Sequence, residues 1–216
     1  MKETTTIKVL LGIGILASIL VGIGEYLLHF SPDGPAGEVS MLENVPLERA
    51  AMGHFFSVFS TPLYFAGYFG LRNFFQKSNK TLANALLVLG ILAFSIGGVW
   101  ISSRYMGAVV LQTSAGSSDY AFYLQTYEAH YQILVWALRI IIALLSIVYV
   151  LLILKNTQGV AKWLAIFNPV FILILVISSL FWLPPLGVHI APIAMNVTHF
   201  IFFGLLLWQV NKTVQQ

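Results

Sequence analysis

Residues 129–154 read AHYQILVWALRIIIALLSIVYVLLIL. A single formal charge, Arg139, interrupts this apolar run. A bilayer's hydrocarbon is crossed by about 20 helical residues, so the stretch is long enough to span. Lipid supplies no partner for an open sheet edge, so the stretch must be a helix. Five more runs satisfy the same test, at residues 7–29, 51–71, 82–103, 163–183 and 190–210. The expectation is an all-α polytopic protein, a six-transmembrane-helix bundle forming one domain over residues 1–216.

Composition agrees. Of 216 residues, 58% are hydrophobic and 9% charged, whereas soluble domains carry about 25% charge. Disorder needs the opposite balance. There is no cysteine, which removes disulfide scaffolds, thiol catalysis and Cys-zinc sites. The net charge of +3 does not indicate a nucleic-acid partner, because the basic residues form no cluster. The first run is too long for a cleaved signal peptide and reads as a retained helix.

Basic residues give the orientation. Lys2, Lys8, Arg72, Lys77, Lys80, Lys155, Lys162 and Lys212 all fall on one side of the six runs, eight of the eleven cations. By the positive-inside rule that side is cytoplasmic, with both termini inside. The connections opposite are residues 30–50, which carry Asp33, Glu38, Glu43 and Glu48, residues 104–128, and a turn at 184–189. The first two read as long loops of the kind that form lids or binding segments. Glycines at 12, 14, 22, 24, 90, 97 and 98 suit close helix approach. Pro62 and Pro169 fall in the second helix of each three-helix half, a weak hint of an inverted repeat.

Ionisable groups inside a bilayer are costly, so their depth is informative. His29, His54, His130, His189 and His199, with Glu25, Arg104, Glu128 and Arg139, all lie in the half of the bundle away from the termini. That segregation predicts a polar pocket opening outward. Arg139 needs a partner, and Glu25 is the acidic residue at comparable depth, so an Arg139–Glu25 pair is expected. Glu25, His199 and His54 are the candidate acid–base residues. Arg139, Asn196, Arg104, Glu128 and His130 are the candidate substrate contacts. Zinc on His54, His130 and His199 is a weaker alternative, because no HExxH-type motif accompanies them. Cofactors are not indicated.

Three functions fit these features. The first is an enzyme or binding protein for a lipid or other apolar small molecule. The second is a small proton-coupled transporter, against which the polar groups stop halfway across. The third is a partner or assembly protein using the outer loops. Oligomeric state is not legible.

Gly24-Glu25-Tyr26 closing the first helix, Asn168-Pro169 opening the fifth, and Asn196 to His199 in the sixth resemble bacterial multi-pass membrane proteins known only as a domain of unknown function. The resemblance covers the whole chain. It implies six helices in a bacterial inner membrane, and no activity.

Overall fold

The computed structural model describes residues 2–31, 42–156 and 159–214. Asp33 and Glu38, part of the expected acidic loop, lie outside the described residues. Among those residues the protein is helical throughout: α1 (Lys2–His29), α2 (Leu47–Ser60), α3 (Leu63–Phe75), α4 (Lys80–Ser114), α5 (Tyr120–Lys155), α6 (Pro169–Trp182), α7 (Pro184–Ile190) and α8 (Ala194–Val214). Short 3₁₀ turns at Lys162–Ala165 and Ala191–Ile193 lead towards α6 and α8.

Four stretches are long and apolar enough to cross a membrane: Glu3–His29, Lys80–Ser114, Tyr120–Lys155 and Pro184–Thr213. The second expected run is not one helix. Proline has no N–H to donate one turn back, and at Pro62 the run divides into α2 and α3. The Thr61 hydroxyl donates a second hydrogen bond to the Ser57 carbonyl, at 2.8 Å, beside that of the Thr61 N–H. The fifth run yields only the 14-residue α6, started by Asn168, whose side chain accepts the Phe171 N–H, and by Pro169 in the first turn. Asn79 caps α4 in the same way through the Leu82 N–H.

The expected loop at 104–128 is also corrected. Both flanking helices continue through it, leaving residues 115–119 as the connection. At 1.5 Å per residue the 35-residue α4 is about 50 Å long, well beyond a hydrocarbon core of about 30 Å. The α4–α5 hairpin therefore projects at the end away from the chain termini, here called distal. A second small core of Leu42, Ala108 and Leu111 forms on it. Gln112 holds the segment before α2 by donating to the Leu42 and Val45 carbonyls, at 2.7 and 2.8 Å. Tyr120 donates to Glu43.

α1 packs against α2, α3 and α8. Its crossing with α2 is made by two glycines. A methyl group on Gly53 would lie 2.5 Å from the Gly24 carbonyl oxygen, and one on Gly24 would lie 2.2 Å from Ser57 Oγ. Backbones meet there because neither residue has a side chain. α5 is held differently. It packs along α4 and joins α6 at the proximal end, where Ser146 Oγ accepts the Val170 N–H at 3.1 Å. Lys162 Nζ closes the same corner on the carbonyls of Ile153, Leu154 and Asn156.

Candidate functional site

Glu25 lies in the last turns of α1, within an apolar span, and is 6% exposed. Its neighbour is polar: Asn196 Nδ2 donates to Glu25 Oε2 at 2.6 Å. The other end of that amide accepts from the Tyr64 hydroxyl at 2.8 Å. One asparagine thus ties α8 to α1 and to α3. One turn further along α8, His199 Nδ1 donates to the Met195 carbonyl at 2.9 Å. With Nδ1 carrying the hydrogen, a neutral ring accepts at Nε2, and the Tyr68 hydroxyl sits 2.9 Å away to donate. Tyr64, Tyr68, Asn196 and His199 are all buried.

Glu25 and Asn196 border a half-open cavity of about 490 Å³ between α1, α4, α5, α6 and the start of α8. From α5 it takes Tyr131, Val135, Leu138, Arg139 and Ile142, which share one helical face. From α4 it takes Ala93, Phe94, Gly97, Trp100 and Ile101, and from α6 Val170, Leu173 and Ile177. The walls are almost wholly apolar. Glu25, Asn196, Thr61 and Arg139 are the polar exceptions. At Gly97 a methyl group would meet no atom within 4 Å.

Towards the termini the cavity gives way to stacked rings. Tyr64 lies on Phe94 with ring centroids 3.6 Å apart, and Tyr68 meets Phe203 edge-on at 5.5 Å. Phe202 and Tyr149 follow, with centroids 4.9 Å apart. All six rings are buried.

The expected residues divide. Glu25, Arg139 and Asn196 border one cavity. The Glu25–Arg139 ion pair is absent: among the described residues the sole salt bridge is Lys77–Glu3. Arg139 is exposed and lies over the ring of its neighbour Trp136, 4.9 Å from its centroid. His199 is buried behind the cavity wall, with both ring nitrogens engaged. His54 does not border that cavity and is stacked on Tyr105 of α4. Glu128 and His130 are exposed on the projecting part of α5. His54, His130 and His199 are therefore apart, and no three His, Asp or Glu residues are grouped for a metal among the described residues. Arg104 is fully buried, with its guanidinium between Trp100 and Tyr131.

Tyr64 and Tyr68 were not among the sequence candidates, yet they orient Asn196 and His199. Their i,i+4 spacing on the second apolar run was the available signal. His29 also belongs here. It is buried within reach of the Pro192 carbonyl and edge-on to Trp100, with ring centroids 5.4 Å apart.

Chemically, the site offers one carboxylate, one amide and a phenol at the edge of an apolar chamber. Among the described residues no second acid or base is hydrogen-bonded or ion-paired to Glu25. No curated protein and no solved structure matches the chain. A family model does match, over residues 1–213, and on that evidence the chain belongs to DUF6796, a family of unknown function.

Proposed function

We propose that this is a membrane protein whose interior cavity binds a lipid or other apolar small molecule. The observation that carries the reading is the chamber of about 490 Å³, apolar but for Glu25, Asn196, Thr61 and Arg139. Small-molecule sites are typically about 300–1,000 Å³, mostly apolar, with a few placed polar groups. Glu25 and Asn196 would give the ligand polar contacts along the cavity edge.

Binding is favoured over catalysis because, among the described residues, no acid–base group is bonded to Glu25. His199 is spent on Tyr68 and Met195, and His54 faces elsewhere. A transporter is disfavoured by the buried rings packed below the cavity, where the polar pair Tyr68–His199 is already hydrogen-bonded.

The topology proposed is six crossings, with α2–α3 and α6 completing the four long spans, and both termini on the cytoplasmic side of a bacterial inner membrane. Its support is the lysines, which all lie at the terminal side of the bundle.

Photolabelling tests the binding reading. A diazirine-bearing fatty alcohol is added to the full chain in mild detergent, and adducts are mapped by mass. Saturable adducts on the α5 face around Val135–Ile142, lost in Gly97→Leu, are expected. Unsaturable adducts confined to outward residues such as Phe55 and Phe59 would contradict a bound ligand.

A further inference from the structure

Trp100 and Tyr131 line the cavity, and against their rings lies a fully buried cation. The Arg104 guanidinium carbon is 5.1 Å from the Trp100 ring centroid and 5.4 Å from that of Tyr131. Ring faces attract a cation but do not replace a hydrogen-bond acceptor. Among the described residues no carboxylate comes within ion-pair distance of Arg104. Its Nε and Nη2 are buried without a hydrogen-bond partner there.

Two neighbours share the deficit. Trp100 Nε1 is also buried and unpartnered, and the Tyr127 hydroxyl approaches Ser103 without completing a hydrogen bond. Nine buried side-chain polar atoms lack a partner among the described residues, and four of them are these donors around one guanidinium. Native interiors leave few such groups, and a cluster of them needs an explanation. A cation beside unmet N–H and O–H groups calls for an anionic acceptor. Glu25 feels the Arg104 charge but spends an oxygen on Asn196 and does not reach the guanidinium.

Two of the helices that border the cavity face outward with apolar side chains. α5 and α6 are bonded at Ser146–Val170 and carry large exposed apolar residues in their distal halves, including Ile133 at 70% and Phe181 at 84%. Resting on the ligand reading above, we propose that the occupant is a bilayer amphiphile with one anionic head, a carboxylate or a phosphate. Its tail fills the cavity, and its head pairs with Arg104 once the Trp100 or Tyr131 ring swings aside. Trp100 Nε1 and the Tyr127 hydroxyl supply further donors.

The test compares three probes on the detergent-purified full chain by native mass spectrometry: sodium oleate, oleyl alcohol and inorganic phosphate. Oleate should bind about tenfold more tightly than the alcohol, the margin of a charge-assisted hydrogen bond. Arg104→Gln should erase that margin, Arg104→Lys should restore part of it, and phosphate alone should not bind. Equal affinity for oleate and oleyl alcohol would overturn the anionic head while leaving the cavity reading intact. Binding of neither would overturn both. Phosphate bound equally by wild type and Gly97→Leu would mark a free-anion site and overturn the amphiphile. Should the Arg104 variants fail to fold, the wild-type comparison and a reduced margin in Tyr127→Phe still decide.

Discussion

α1 and α5 are both long apolar helices carrying an ionisable residue within the membrane span, yet their surroundings are opposite. α1 is gripped by α2, α3 and α8, and Glu25 is buried at its distal end. α5 is packed on one side by α4, and Ile133, Trp136, Ile140 and Leu144 stand exposed along it. Lipid tails are as apolar as leucine, so hydrophobicity does not drive helices together within a bilayer. Close approach then depends on small residues. α1 supplies Gly14 and Gly24 where α3 and α2 supply Gly67 and Gly53. α5 has no glycine between Tyr120 and Lys155, and it meets α6 and α8 in its proximal half, at Ser146–Val170 and Tyr149–Phe202. The cavity is the space left by that difference.

Glycine replacement is the sharpest way to break this comparison. Gly53→Leu forces a side chain into the α1 backbone, 2.5 Å from the Gly24 carbonyl and 2.7 Å from the Leu28 nitrogen. A loss of about 3 kcal/mol or more is expected, read as a collapse in folded yield and thermal midpoint. Gly97→Leu, facing the cavity, should leave the midpoint nearly unchanged. Equal damage from both would mean the two regions are packed alike.

Asn196→Leu comes next, because it strands two buried groups at once, Glu25 and Tyr64. A cost of about 2–3 kcal/mol is expected in denaturant unfolding. A neutral result would mean water or lipid reaches the pair. Tyr68→Phe removes one hydrogen bond to His199 and should cost about 1 kcal/mol by the same measurement. Arg139→Gln, on the exposed side, should stay within about 0.5 kcal/mol. A large drop there would reveal an interaction of Arg139 that the open half does not show.

Much of this architecture is written in the residue pattern. Run length located the four long apolar helices, and depth along each run brought Glu25, Asn196 and Arg139 to one level. Depth gives height but not azimuth, so the expected Glu25–Arg139 pair failed although both border the same cavity. His54 failed for the same reason, since its face of α2 turns to Tyr105. Residues 104–128 looked like a loop because hydropathy falls beyond the hydrocarbon. Helix there persists through tertiary packing, with Ala108 and Leu111 on Leu42. The break at Pro62 was visible as a proline. That it separates two helices depended on how neighbouring backbone groups are re-satisfied, which composition does not encode. Tyr64 and Tyr68 do not stand out in the sequence, because tyrosine in an apolar run also suits an interfacial belt.

Native mass spectrometry of the chain released gently from its membrane, beside Gly97→Leu, tests the cavity as a binding site most directly. The wild type should carry one retained lipid or apolar molecule, and the Gly97→Leu chain should fold and carry none. A bare wild-type mass, or the same adduct retained by both proteins, would contradict it.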